Sequence, residues 1–224
     1  MFNSVMNSSM KWLASTLLRR YRHYPADQTA VILIDVQDEF LSPESYGWTL
    51  IQAVSTKIGF LDNLRELISL SRLKAYPIIY APYNENISGS FLTPIHRVFN
   101  ECFEKNKENN ERKAHSINMH MDLQPKECDQ TMSERTGLSI FANTALDEKL
   151  RSKGIEHLVF AGPMVNTNID SSVRDAVELG YHATLISDCV SAFSDDEYDA
   201  ATKITFPRFC QTVVTLDGFR RLVS

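Results

Sequence analysis

The sequence predicts one α/β domain, in which helices cover both faces of a six-stranded parallel sheet to make a three-layer α/β/α sandwich. An apolar run that ends in an acid occurs at Ala30–Asp35, and a second buried strand is predicted at His157–Ala161. Apolar runs without alternation are typical of strands buried on both faces. Amphipathic helical patterns separate such runs along the chain. The 224 residues are 43% hydrophobic and 23% charged, which suits a single globular domain with a substantial core.

The first third of the chain predicts a strand, a helix and a second strand. After the strand at Ala30–Asp35, apolar residues recur at helical spacing over about four turns, namely Phe60, Leu61, Leu64, Leu67 and Ile68. Pro77 then introduces a short apolar strand at Ile78–Tyr80. A helix between two strands places those strands side by side and parallel.

Residues 83–128 interrupt this alternation. Glu104–Lys113 is entirely charged or amide-bearing and has no apolar periodicity, so we expect a solvated loop or helix surface within a long insertion.

The alternation then resumes with features that complete the six strands. We expect strands at Thr131–Glu134, His157–Ala161, Ala183–Ser187 and Gln211–Leu216. We expect helices from Asn143 or Thr144 to about Lys153, over Asp170–Leu179, after the capping-box pair Ser194 and Glu197, and at the C-terminus.

The amino-acid composition bears on which binding partners and which cellular compartment we expect. The net charge is −5, without the basic bias that nucleic acid binding requires. The four cysteines form no C-x-x-C pair, and we expect reduced thiols in a cytoplasmic protein; they are Cys102, Cys128, Cys189 and Cys210.

We expect two parts in the chain: an N-terminal extension over residues 1–27 and the α/β domain over residues 28–224. Apolar residues of Trp12–Leu18 fall near helical spacing and Arg19, Arg20 and Arg22 follow them, which predicts a short amphipathic helix. The run is too short to span a bilayer and lacks a small-residue cleavage site. The helix is expected to pack on its own domain or a partner subunit; attachment to a membrane surface is the alternative.

Three loops that leave strand ends carry unusual residues, and ligands of open parallel sheets bind at such ends. The loops are Asp35–Phe40, Ser133–Phe141 and Ala161–Ser171. A carboxylate such as Asp35 at the end of an apolar strand is partly desolvated, which raises its pKa unless a cation pairs with it. Such a group is suited to general acid/base work, although an acid that merely caps the next turn has the same pattern.

Several segments together resemble the isochorismatase-like superfamily, which includes the cysteine hydrolases and nicotinamidases. They are the D-x-Q-x-x-F segment at Asp35–Phe40, S-x-F-x-x-T-x-L-D at Ser139–Asp147, the strand and A-G turn at Val159–Gly162, Arg174-Asp175-Ala176, Leu179–His182 and Ser187–Phe193. The resemblance covers about residues 28 to 218. It implies a six-stranded α/β/α sandwich, a small-molecule substrate and a homo-oligomer, either a dimer or a larger assembly.

The resemblance also implies a catalytic constellation with two departures. Cysteine hydrolases use an Asp, a Lys and a nucleophilic Cys, and the matching positions here hold Asp35, Arg135 and Asn168. A different offset puts Ser133 at the Lys position. Asparagine has no thiol and forms no thioester, and arginine stays protonated, so it holds an anion but does not readily exchange protons. Cys189 lies at the end of a different strand, where the family places no nucleophile.

The resemblance leaves three interpretations open. Isochorismatases proper lack the Cys and hydrolyse a vinyl ether, with the Asp as acid and base, so this chain is either such a non-covalent hydrolase or an inactive relative that binds small molecules or serves as a structural subunit. The third interpretation is a cysteine replaced deliberately. In the first, Asp35 is the acid/base, Arg135 binds an anionic group and Asn168 positions water. We expect substrate contacts from Gln37, Phe40, Tyr83, Val165 and Thr167.

The resemblance further implies a cis peptide at Pro163–Met164. It implies no metal or other cofactor, because nicotinamidases carry an Asp-x-His pair after the second strand and residues 81–85 here contain none. His96, His115 and His120 stand at no useful spacing for a metal.

Overall fold

A computed structural model of the chain describes residues 24–84, 92–109, 118–132, 135 and 137–224, without the side chains of residues 107–109. The predicted fold class is confirmed, because six parallel strands form one sheet in the order β3-β2-β1-β4-β5-β6. The strands are β1 Thr29–Ile34, β2 Ile78–Ala81, β3 Gln130–Thr131, β4 His157–Gly162, β5 His182–Val190 and β6 Thr212–Val214.

Helices connect and cover these strands. They are α1 Asp38–Leu41, α2 Tyr46–Ile58, α3 Phe60–Leu73, α4 Pro94–Asn109, α5 Leu146–Ser152, α6 Asp170–Glu178, α7 Asp195–Asp199, α8 Phe206–Phe209 and α9 Leu216–Leu222. A π-helical turn at Val165–Ile169 leads into α6, a second at Ala200–Thr205 joins α7 to α8, and a 3₁₀ turn lies at Met121–Leu123.

The central strand shows why the apolar run forms the middle layer. Every residue of β1 is buried. Val31 and Leu33 face a core that includes side chains of α2, α3, α4 and α9, whereas Ile32 and Ile34 face a second core formed with α5, α6 and α8. Because side chains alternate along a strand, a strand apolar at every position must be covered on both sides.

Helix α3 has the predicted length of about four turns and the predicted buried stripe. Ser71 is buried in the same helix, and its hydroxyl donates to the carbonyl of Leu67. Helix α2 is an element that the sequence pattern did not predict. Ser45 caps it by accepting from the N–H of Trp48 at 3.1 Å, and Gly59, at φ +66°, ends it and begins α3.

Several predicted bounds need correction. Helix α5 begins at Leu146 because Asn143 has φ +57°, outside the helical region, although the hydroxyl of Thr144 accepts from the N–H of Leu146. The third strand lies at Gln130–Thr131, earlier than predicted, and residues 133 and 134 fall outside the described chain. The polar stretch after Glu104 continues α4 as far as residue 109.

The predicted N-terminal helix lies outside the described residues, so the boundary at residue 27 stays a prediction. Tyr24, where the described chain begins, is buried in the core beside α9. Within the described ranges, no helix combines the length and the apolar character needed to cross a bilayer.

Candidate active site

Asp35 follows β1 at the carboxyl edge of the sheet and is completely buried. Its backbone has φ +56°, a left-handed conformation that costs a non-glycine residue about 1–2 kcal/mol. Its N–H donates to the carbonyl of Ala81, the last residue of β2, at 3.2 Å. Strained backbone that persists in a well-packed region is a feature of functional sites.

Two side chains from distant parts of the chain hold the carboxylate of Asp35. Arg135, 100 positions away, donates from Nη1 to Oδ1 at 2.5 Å. Asn168, 133 positions away, donates from Nδ2 to Oδ2. The structure therefore brings together the three residues that the sequence analysis named as the catalytic constellation.

Arg135 is bound almost entirely by the protein. Its side chain is 1% exposed, and it donates to Asp35 and to the carbonyls of Ala81 at 3.0 Å, Gly137 at 2.9 Å and Leu138 at 2.9 Å. These hydrogen bonds engage four of the five N–H groups that a guanidinium offers. Its predicted role in binding an anionic group of the substrate stays a prediction.

Two opposing effects set the pKa of Asp35. Burial raises the pKa of the carboxyl group, because the charged form loses its hydration. The positive charge of Arg135 and the hydrogen bond from Asn168 oppose that rise without cancelling it, so the net shift is upward. A carboxyl group with a raised pKa beside a fixed cation is suited to accepting and returning a proton.

The turn after β4 carries Asn168 to Asp35. A Cβ at Gly162, which has φ +139°, would lie 2.1 Å from the carbonyl oxygen of Ile34, so only glycine lets β4 approach the end of β1 here. Met164 is left-handed at φ +61°, and the N–H of Val165 donates to the carbonyl of Ser191 at 2.7 Å. The expected cis peptide at Pro163–Met164 is wrong, since the described peptide bonds are all trans.

The amide of Asn168 has one satisfied end and one unsatisfied end. Its Nδ2 is bound to Asp35, and its backbone carbonyl accepts from the hydroxyl of Ser172 at 2.6 Å. Its Oδ1 is buried, and no donor of the described chain lies within hydrogen-bonding distance of it. An unpaired acceptor in a buried position is uncommon and requires an explanation.

Gln37 fixes the loop after β1 to the loop after β2. Its Oε1 accepts from the N–H of Tyr83 at 2.6 Å, and its Nε2 donates to the carbonyl of Tyr83 at 3.2 Å. On the other side, the N–H of His120 donates to the carbonyl of Val36 at 2.9 Å. The loop that presents Asp35 is therefore held on two sides, and the amide of Gln37 is used within the protein.

The other predicted substrate contacts occupy different surroundings. Phe40 and Tyr83 are buried against Phe99 and Phe103 of α4, and the ring of Tyr83 lies 5.7 Å from the guanidinium carbon of Arg135. Val165 lies in the opposite core, while Thr167 is half-buried and donates to the carbonyl of Met164 at 3.0 Å. The substrate-binding roles of these residues stay predictions. Ser133, the alternative at the Lys position of the family, lies outside the described residues.

Cys189 is poorly suited to act as a nucleophile. It is fully buried in β5, within the core on the α2 and α3 side of the sheet, and burial raises the pKa of its thiol well above the usual value. A thiol held protonated is a weak nucleophile. Among the described residues, no three His, Cys, Asp or Glu side chains cluster in a way that suits a metal ion.

Two contributors to the site were given no role by the sequence analysis. The carbonyl of Ala81 joins Asp35 to Arg135, and Gly162 allows the close approach of β4. Only Gly162 left a signal in the sequence, since a glycine that ends an apolar strand often marks a close backbone approach.

Comparison with known proteins identifies the family that this fold and site define. The Isochorismatase domain matches residues 29–217, and the chain therefore belongs to the isochorismatase family.

Individual relatives are more distant. The chain is 24% identical over 209 residues to the ureidoacrylate amidohydrolase RutB of Agrobacterium fabrum, which covers 88% of this chain and 90% of that protein. It is 37% identical over 87 residues to the uncharacterized isochorismatase family protein YwoC of Bacillus subtilis, a match that spans 39% of this chain and 46% of YwoC. The crystal structure of an isochorismatase family protein from Desulfovibrio vulgaris aligns with a TM-score of 0.69 at 18% identity, covering 87% of this chain and 97% of that one. At that identity the likeness establishes the fold alone.

Proposed function

We propose that this protein is a hydrolase that acts on a small molecule without a covalent thiol intermediate, with Asp35 as the general acid/base. The observation that carries the proposal is that the guanidinium of Arg135 and the amide of Asn168 both reach the buried carboxylate of Asp35. The upward shift of the pKa of Asp35 supports this proposal, because the shift brings that pKa closer to neutral pH. The name of the relative RutB, an amidohydrolase, supports hydrolysis as the class of reaction.

In the proposed reaction, Asp35 takes a proton from a water molecule as the water oxygen attacks the substrate. The same carboxyl group then returns that proton to the leaving group, so that the enzyme ends in its starting state. Arg135 stays protonated throughout and limits the rise in the pKa of Asp35. Asn168 stands where cysteine hydrolases hold their nucleophile, and we propose that its amide orients water or substrate there.

A second candidate is a relative that binds small molecules without turning them over, or that serves as a structural subunit. One observation favours it: both carboxylate oxygens of Asp35 already have hydrogen-bond partners, and the group is completely buried. A carboxylate held in this way also fits a purely structural ion pair.

Activity measurements separate the two candidates. Amides, ureido compounds and vinyl ethers are incubated with wild type and with Asp35→Asn, and products are followed by chromatography. For any substrate turned over, we expect Asp35→Asn to lose about 10²–10⁴-fold in rate while the melting temperature shows that it is folded. Asp217→Asn, which removes an exposed acid of α9, is the matched control and should keep full activity.

Unchanged turnover in Asp35→Asn would refute the role proposed for this residue. If no compound is turned over but some raise the melting temperature, the binding candidate is favoured. Asn168→Cys tests the missing nucleophile directly: amidase activity that appears only in this variant, with a trapped covalent adduct, indicates that the natural chain has lost covalent catalysis.

Two broader expectations belong with this proposal. We propose that the protein forms a homo-oligomer, and light scattering after gel filtration should give a mass of at least twice 25.5 kDa. We also propose a cytoplasmic location, which fractionation of the source cells tests.

A further inference from the structure

The unsatisfied acceptor of Asn168 is a buried polar atom of the constellation that the described protein does not use. Asp35 has a donor on each carboxylate oxygen, and Arg135 has four engaged N–H groups. Asn168 Oδ1 is buried and has no donor within reach among the residues described. Burial of an acceptor without a donor costs about 1–3 kcal/mol, so a bound molecule that supplies a donor there recovers that free energy.

The direction in which this amide points is set by Asp35. An ionised carboxylate only accepts hydrogen bonds, so the Nδ2 end of Asn168 must face it and the Oδ1 end must face away. Arg135 favours the ionised form of Asp35, because its Nη1 lies 2.5 Å from Asp35 Oδ1. Rotation of the amide by half a turn would set Oδ1 against Asp35 Oδ2, two acceptors with no proton between them. While Asp35 is ionised, Asn168 therefore presents Oδ1 as an acceptor on the side away from the carboxylate.

The surroundings of the turn give the acceptor a defined place. Asn168 stands between the end of β1 and the start of α6, and its backbone is tied to Ser172. On the same turn Asn166 is exposed and Thr167 is half-buried, so the surface of the protein lies two residues before the buried Asn168.

We propose that Asn168 is a specificity-determining residue, whose unpaired Oδ1 selects neutral ligands that offer an N–H donor over ligands of the same shape that lack one. The inference rests on the proposed function only in taking this edge of the sheet as the ligand site. A ligand with an oxygen in place of the N–H group leaves Oδ1 unpaired and adds repulsion between two acceptors, whereas a secondary or primary amide or a ureido group satisfies it.

The test uses pairs of neutral probes that differ only in this donor. N-methylacetamide is compared with methyl acetate, and N-methylbenzamide with methyl benzoate, since each pair exchanges N–H for O with almost no change in shape. Dissociation constants are measured by NMR titration of the ¹⁵N-labelled wild-type protein, with hydrolysis of each probe followed separately. We expect at least one amide to bind about tenfold or more tightly than its ester.

Two variants locate the source of that preference. Asn168→Leu removes the acceptor at similar volume and should bring the amide and the ester to equal affinity. Asn166→Leu makes the same chemical change at the exposed position of the same turn and should keep the wild-type preference. If Asn168→Leu does not fold, Asn168→Ala, which also removes Oδ1, takes its place in this comparison.

The inference is overturned if each ester binds as tightly as its amide, if neither amide binds, or if the preference survives in Asn168→Leu. Its failure is distinct from failure of the hydrolase proposal. Preferential amide binding without hydrolysis removes only the enzymatic role, and hydrolysis with equal binding of amide and ester removes only the selectivity of Asn168.

Discussion

At the carboxyl edge of the sheet a buried carboxylate is kept beside a buried cation, whereas at the amino edge of the same sheet a pair of buried histidines is packed among aromatic rings. Asp35 follows β1 and is bound by Arg135 and Asn168. His157 and His182 begin β4 and β5 and lie side by side in the register of the sheet, with ring centroids 4.9 Å apart.

Tyr24 packs against both histidines at the amino edge. Its ring lies 5.7 Å from that of His157 and 5.9 Å from that of His182, and its hydroxyl is hydrogen-bonded to Thr184 at 2.9 Å. Burial, together with the charge of His157, lowers the pKa of His182 to about 4. This imidazole is therefore neutral near pH 7.

The difference shows two solutions to one physical problem. A charge in a buried site is costly unless an opposite charge and hydrogen bonds accompany it. At the carboxyl edge Arg135 provides both, and its charge opposes the rise in the pKa of Asp35 that burial causes. At the amino edge the ionisable group instead loses its charge. The edge with the retained charge pair is the one where parallel sheets bind ligands.

The largest expected effect comes from removing the cation of the carboxyl edge. Arg135→Met leaves the carboxylate of Asp35 buried without an opposite charge, and we expect a loss of about 3–5 kcal/mol in the free energy of unfolding, measured in urea at pH 7. The double variant Arg135→Met with Asp35→Asn removes the stranded charge and should recover much of that loss. A single variant within about 1 kcal/mol of wild type would show that the pair is not energetically coupled to the fold.

A smaller effect is expected at the amino edge on acidification. The pKa of His182 in the folded protein, about 4, lies below the ordinary value of 6.5, so the unfolded chain binds more protons between these values. The stability associated with the neutral imidazole is complete above about pH 6.5 and is lost as the pH falls toward 4, by about 3 kcal/mol. His182→Phe keeps a ring beside Tyr24 and should flatten this part of the unfolding free energy against pH.

A control separates His182 from the other histidines. His96→Gln removes a less buried imidazole, whose pKa is also lowered, and should change the pH profile less than His182→Phe does. If the free energy of unfolding falls equally steeply with acidification in wild type and in His182→Phe, then His182 does not cause the loss of stability at low pH.

The smallest effect is expected at an exposed ion pair. It tests whether burial determines how much an ion pair contributes to the free energy of unfolding. Arg220 of α9 and Glu66 of α3 approach to 2.6 Å at the surface, with side chains 49% and 59% exposed. Arg220→Ala should change the free energy of unfolding by less than about 1 kcal/mol, and less still in high salt, because exposed pairs are screened. A loss similar to that in Arg135→Met would contradict the contrast between buried and exposed pairs.

The local sequence pattern was sufficient to predict those elements whose apolar residues match the side that the fold buries. The strand at β1 and the helix α3 follow directly from an apolar run and an apolar stripe. Helix α2 was missed because Gly47 and the β-branched residues Thr49, Ile51 and Val54 lower its intrinsic helix propensity. Packing explains that glycine, since a Cβ at Gly47 would lie 2.3 Å from the carbonyl oxygen of Glu39 in α1.

The candidate site likewise has features that the sequence indicated and features that it did not. The position of Asp35 at the end of an apolar strand indicated a desolvated acid, and the family resemblance indicated Arg135 and Asn168 as its companions. The sequence did not indicate that Arg135 would be used by Asp35 and three backbone carbonyls, or that the amide of Gln37 would bind the backbone of Tyr83. Each contact depends on where loops from different strands meet.

The sequence by itself determined the layered α/β architecture, the family and the presence of an asparagine at position 168, because burial of alternating apolar segments is encoded locally along the chain. Only the tertiary structure decided that Asn168 donates to Asp35 and leaves its oxygen unpaired. The physical reason is that a hydrogen bond between residues 133 positions apart has no local signal: it exists because β1 and β4 are neighbours and Gly162 lets their ends approach.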